Sequence, residues 1–147
     1  MDICIGNINN DIMKTTATLV YNGNLRNTIT HTQSGTTIET DAPTDNNGKG
    51  ERFSPTDLLS VSLASCMITI MGISAHAHNI TLNDVKADIV KHMASNPRKV
   101  GKIEVHLYIK GDFNDKEKAI LEKAGLTCPV YLSLHPDVEK HIVFNWI

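Results

Sequence analysis

No cluster of Lys or Arg longer than the pair Arg98-Lys99 occurs anywhere in the 147 residues. With a net charge of −2 and a pI near 6.4, the chain has no electrostatic footprint for nucleic acid or an anionic lipid surface. The first 14 residues lack a basic segment followed by an apolar one, so no secretory signal is legible and the cytoplasm is the expected compartment. Cysteine is scarce. Cys4, Cys66 and Cys128 are odd in number and far apart, which excludes the disulfide framework of a small secreted domain. In a reducing compartment they are either packing residues or chemistry. Gly48-Lys49-Gly50 lacks the spacing of a phosphate-binding loop, and neither an internal repeat nor a linker is visible. At this length a single domain, residues 1–147, is expected.

What is present is one long, nearly uncharged run, residues 54–78, with Cys66 near its middle. Ser54 is a good N-cap, Pro55 suits the first helical position, and Asp57 can reach back to the cap amide, so a helix starts here. Leu58, Val61, Leu63, Met67, Ile68, Ile70, Met71 and Ile73 surround its axis, and no charge appears between Asp57 and His76. A helix apolar on every side is expected to be buried as the core helix. The run is about as long as a membrane span of roughly 20 residues, but serines dilute it and no basic cluster flanks it, so no membrane association is expected. The small residues Ser60, Ser62, Ala64 and Ser65 leave space beside the Cys66 sulfur.

Around this helix the pattern is of strands. Residues 14–21 and 25–31 form a hairpin across Asn22-Gly23-Asn24, and Ser34-Gly35 turns the chain into a third strand, residues 36–40. Residues 41–50 are a loop. Residues 82–93, with Val85, Ala87, Ile89 and Lys91 on one face, pair with residues 100–109 across Ser95-Asn96-Pro97-Arg98. Asn114 and Glu117 open an amphipathic helix, with Ile120 and Leu121 inward and Gly125 as its stop. Thr127-Cys128-Pro129 opens a short helix over residues 130–134, and residues 139–147 close the chain as a strand. The fold class is α+β.

Cysteine is nucleophilic as its thiolate, which requires positive charge or local dipoles. Cys66 lies too far along its helix for the N-terminal dipole to reach it, so any activating charge comes from elsewhere in the fold. Cys128, at a helix start, has local N–H groups available. Taken alone, each also reads as a small buried hydrophobe. His76 and His78 are two positions apart and point to different sides of a helix, which reads as a solvated helix end rather than a metal site. Cys4 has no local partner and no assigned role.

The run SPTDLLSVSLASC, the Asp-Ala-Pro and glycine loop before it, and the later CPVYLSL resemble the OsmC/Ohr family, the osmotically inducible and organic hydroperoxide resistance proteins. The resemblance covers nearly the whole chain. It is carried by the combination of a Pro-initiated helix motif ending at Cys66 with a Cys-Pro at Cys128, 62 positions later. It implies an OsmC-like fold, an intertwined homodimer with long central helices packed against antiparallel sheets. It also implies thiol-dependent reduction of organic, including fatty-acid, hydroperoxides in oxidative stress defence. Cys66 would become a sulfenic acid, and Cys128 would resolve it to a disulfide. A lipoylated protein or another dithiol would then reduce that disulfide, with no bound cofactor or metal. The activating arginine of the family comes from the N-terminal hairpin, which makes it Arg26 here. The hydroperoxide-resistance branch places a glutamate directly after the helix-initiating proline, where this chain has Thr56; Glu51 is a substitute on the preceding loop. That departure points to a distinct OsmC-like branch. It also keeps open an alternative, a non-enzymatic protein of the same fold that uses the dimer groove for a small apolar ligand or a partner.

Overall fold

A computed structural model describes residues 14–147, so Cys4 lies outside the described residues. The chain forms two compact units, one ending at Phe53 and the other spanning Ser54–Ile147.

The first unit is a three-stranded antiparallel meander of β1 (Ala17–Gly23), β2 (Arg26–His31) and β3 (Thr37–Asp41), in that order. Its first turn is centred on Asn24 and Leu25, both at positive φ (52° and 63°), one step later than the sequence pattern indicates. Gly23 is absorbed into the strand, where the register shifts between Tyr21 and Gly23. Asn24 tolerates the left-handed conformation, and consecutive positive φ values suit the twist of a tight hairpin. Leu19, Ile29 and Ile38 stand in one cross-strand row, and Leu19 and Ile38 remain exposed. The loop after β3 contains one 3-10 turn, Thr44–Asn46, and folds so tightly that a Cβ on Gly48 would lie 1.7 Å from the Ala42 carbonyl oxygen.

The second unit is built on α1 (Pro55–Ala77), and both halves of the expected capping box are present. The Asp57 amide donates to Ser54 Oγ (3.0 Å), and the Ser54 amide donates to Asp57 Oδ2 (2.8 Å). β4 (Asp84–Ala94) and β5 (Lys99–Lys110) form the expected hairpin. α2 (Asp115–Leu126) and α3 (Pro129–Ser133) then carry the chain to β6 (Glu139–Trp146), which pairs with β5 in parallel. A helical crossover of this length returns the chain in the same direction as β5, so this sheet is mixed rather than purely antiparallel. Ile103, Val105, Leu107 and Ile109 of β5 are buried in one cluster with Leu63, Met67 and Met71 of α1 and Leu121 of α2. Each such side chain contributes roughly 1.5–3 kcal/mol by leaving water.

Two expectations change. Gly125 does not stop α2: it is buried within the helix, whose C-cap is Thr127. A Cβ there would stand 3.2 Å from Met71 Sδ, so the glycine permits the close approach of α1 and α2. Helix α1, apolar on all sides, is covered on one side only. Ser60, Leu63, Ala64, Met67, Met71 and Ala75 are buried, while Leu59, Ser65, Thr69 and Ile73 are exposed. Within its unit α1 packs against α2, α3, β4 and β5. By length and composition α1 could cross a membrane; in this fold its Leu63–Met67–Met71 face is buried within the protein.

Candidate active site

Cys66 recurs at heptad spacing with Leu59 and Ile73, so it lies on the open stripe of α1, and it is half-buried. Cys128 is fully buried and is the N-cap of α3, its Sγ accepting the Tyr131 amide (3.3 Å). Pro129 follows at the first helical position, where its missing N–H is harmless. Both cysteines are free thiols, and Cys66 packs against the buried cluster that contains Cys128. Burial pushes the Cys128 thiol above its ordinary pKa. The Tyr131 amide works in the opposite direction, and Cys66 adds to the rise. The arrangement pairs one reachable sulfur with one that is buried and stays protonated at neutral pH.

Arg26, the third residue singled out, begins β2 in the first unit. Its Nε–H donates to Asp41 Oδ1 (2.7 Å), while Nη2 donates to Asp41 Oδ2 (2.8 Å) and to Glu51 Oε2 (2.8 Å). Asp41 also accepts the Glu51 amide (3.2 Å). The hydrogen bond from Arg26 holds the Asp41 carboxyl below its usual range, and the two carboxylates together hold the guanidinium still more firmly protonated. Glu51, the expected substitute for the missing glutamate, therefore does bind Arg26, and Asp41 binds it as well. Arg52 is occupied by Glu39 (2.8 Å).

At the start of α1, Thr56 takes part in a different contact. Lys91 Nζ donates to Thr56 Oγ1 (3.0 Å) and Ser54 Oγ (3.3 Å), and pairs with Asp57 Oδ1 (2.7 Å). Burial opposes ionisation of Asp57, but the hydrogen bonds from Lys91 and Ser54 outweigh it and hold the carboxyl below its usual range. Lys91 was legible only as an inward position on β4. A lysine in an otherwise apolar row is itself the signal that a carboxylate waits opposite. His76 lies within α1 and His78 is its C-cap, both exposed. Among the described residues, no three His, Cys, Asp or Glu side chains are grouped to hold a metal ion.

The family model for OsmC-like proteins matches residues 48–141. No curated protein matches the chain. Among solved structures, it is similar to a protein from Psychrobacter arcticus 273-4 assigned to osmotic stress induction and the detoxification response, with 44% identity, a TM-score of 0.85, and 89% of this chain and 96% of that one covered. It is also similar to an OsmC-like protein from Mycoplasma pneumoniae (21% identity, TM-score 0.74, 89% and 95% covered). A third similar structure is an organic hydroperoxide resistance protein from Legionella pneumophila (20% identity, TM-score 0.68, 90% and 98% covered).

Proposed function

The chain belongs to the OsmC-like protein family, and on that premise we propose that it reduces organic hydroperoxides with a pair of thiols in the cytoplasm, as part of oxidative stress defence. The observation that carries this reading is the packing of the half-buried Cys66 against the buried cluster that contains Cys128. The Cys66 thiolate attacks the terminal peroxide oxygen, the O–O bond breaks, and the alkoxide leaves as the alcohol by taking up from solvent the proton that Cys66 released on ionising, so that the sulfur becomes a sulfenic acid. The Cys128 thiol then forms an S–S bond as the S–O bond breaks, and its proton leaves with the hydroxyl as water. A dithiol, such as protein-bound dihydrolipoamide, supplies two electrons and two protons to restore both thiols. Burial supports this division of roles, because a thiol kept protonated does not compete for peroxide. Arg26 supplies the positive charge that activates Cys66.

The same reading includes a homodimer. The open stripe of α1 and the exposed Leu19–Ile38 row are apolar surfaces that a second copy would cover. Sedimentation at micromolar concentration gives a dimer on this reading, and a stable monomer would refute it.

A second reading, a non-enzymatic binding protein, is favoured by a cavity of about 510 Å³ in the second unit, lined by Leu59, Val100, Leu134 and Val138 together with Lys99, Ser133, His135 and Asp137. Its size and mainly apolar lining suit a small molecule. The two readings separate when the reduced protein meets cumene hydroperoxide. The enzyme loses two hydrogens in intact mass as the disulfide forms. Cys66→Ser abolishes turnover, and Cys128→Ser permits one oxidation and then stalls. If both variants match the wild type, the thiols are not the catalysts and the binding reading stands.

A further inference from the structure

Three of the five N–H donors of Arg26 are used: Nε–H and one Nη2 hydrogen by Asp41, and the other Nη2 hydrogen by Glu51. Nη1, with two donors, has no hydrogen-bond partner among the described residues. The two carboxylates differ in kind. Asp41 closes the β2–β3 ladder opposite Arg26, is 3% exposed, and grips the planar guanidinium edge at two points. Glu51 makes one contact and is 56% exposed, so water competes for it. A bidentate carboxylate fixes a guanidinium in both position and plane, whereas a single exposed contact fixes neither.

We infer that Asp41 is the residue that positions Arg26 for the thiol chemistry, holding the Nε–Nη2 edge so that the Nη1 edge is presented outward, and that Glu51 is auxiliary. This inference rests on the assignment of Arg26 to Cys66 made above. It places the orienting carboxylate at the end of β3, not on the turn of α1 that begins at Pro55 and Thr56. The pair also explains why an uncharged residue suffices at position 56: the guanidinium is already held by its own sheet, and Thr56 is engaged by Lys91.

Positioning and plain electrostatics predict opposite signs for Asp41→Asn. Removing a negative charge beside Arg26 would strengthen the positive field at a thiolate and speed its reaction. Loss of the two-point grip lets the guanidinium swing, and misplacing a catalytic group by about an ångström costs up to roughly a hundredfold. The experiment measures the second-order rate of thiol loss with cumene hydroperoxide for wild type, Asp41→Asn, Glu51→Gln, Arg26→Ala and the double variant Arg26→Ala/Asp41→Asn. We expect Asp41→Asn to be at least about tenfold slower, Glu51→Gln to lose no more than about threefold, and the double variant to equal Arg26→Ala, since Asp41 acts only through the arginine. An Asp41→Asn variant as fast as or faster than wild type, with Arg26→Ala slow, overturns the inference and leaves the parent assignment intact. A further loss in the double variant also overturns it, because Asp41 would then be purely structural. Should Arg26→Ala react like wild type, the assignment of Arg26 itself falls, and the inference with it. Asp41→Glu, which keeps the charge but shifts the oxygens by one methylene, carries the same expected slowing if the asparagine variant does not fold.

Discussion

Replacing Cys128 by serine and by alanine separates the two things its sulfur does. On the proposed function it resolves the Cys66 sulfenic acid, and in the fold it caps α3 by accepting the Tyr131 amide at 3.3 Å. The site is fully buried, so an amide left without that acceptor has no solvent to turn to. Alanine removes the cap, worth about 1 kcal/mol, and leaves a void the size of one heavy atom, worth about 0.8 kcal/mol by analogy with a buried methylene. The expected loss is about 2 kcal/mol, or a fall of roughly 4–8 °C in the thermal midpoint of a chain of this size. Serine keeps an acceptor at the N-cap, where it is among the preferred residues, and loses less than about 1 kcal/mol. Neither variant can form the disulfide. Urea unfolding under reducing conditions should therefore rank wild type and serine together, with alanine well below, while both variants fail equally to lose two hydrogens after peroxide. If alanine proves as stable as serine, the sulfur does not cap α3 and the reasoning from this contact is wrong.

Gly48→Ala should open the loop after β3, because its Cβ would meet the backbone carbonyl of Ala42, which cannot step aside as a flexible side chain can. A destabilisation of about 1–3 kcal/mol and faster proteolysis within residues 42–50 are expected, and unchanged cleavage would refute the close approach. Acid should also weaken the fold in a defined window. Lys102 and then His106 hold the Glu104 carboxyl down at about 2, and Arg26 holds Asp41 below its usual range. A carboxyl depressed in the folded state binds fewer protons there than in the unfolded chain, so its contribution is complete above the unfolded value and disappears as pH falls through the folded one. For Glu104 that window runs from the unfolded value near 4.5 down to about 2. The urea midpoint should be level from pH 7 to about 5 and fall below that, less steeply in Glu104→Gln. A midpoint that rises on acidification would contradict it.

What was legible in the sequence was local. The capping boxes of Ser54 with Asp57 and of Asn114 with Glu117 need only residues three apart, and both are present as expected. The same holds for the β4–β5 hairpin, whose alternation fixes Ile103, Val105, Leu107 and Ile109 inward. The expectation that Cys66 and Cys128 act as a pair rests on resemblance, because nothing in either local stretch specifies the other. What was missed depends on distant neighbours. Gly125 has the composition of a helix stop, but the approach of Met71 decides its use. Asp41 looks like the first residue of a polar loop, and only the register of β3 against β2 sets it opposite Arg26. Lys91 follows the strand alternation correctly; its partner Asp57 belongs to a helix that begins 37 residues earlier, at the Ser54 cap.

Helix α1 shows why the candidate site and the state of assembly belong to one argument. Apolar residues on every side state that the helix will be covered everywhere, but they cannot state by what. Within its own unit the packing of α1 buries the Leu63, Met67 and Met71 side. Ile73, 62% exposed, and Leu59, 41% exposed, each forgo most of the roughly 1.5–3 kcal/mol that burial would contribute, so the open stripe is a surface awaiting cover. Cys66 lies on that stripe between them, while Cys128 lies beneath it in the core. Whatever covers Leu59 and Ile73 also forms the roof over the Cys66 sulfur, and so sets which peroxides reach it. On the homodimer reading, Ile73→Glu should therefore act twice. A carboxylate in an apolar contact should shift sedimentation from dimer towards monomer, and the peroxide rate should change with protein concentration as the roof dissociates. A variant that becomes monomeric yet keeps its rate and its peroxide preference at every concentration would separate assembly from chemistry and show that each chain completes its own site.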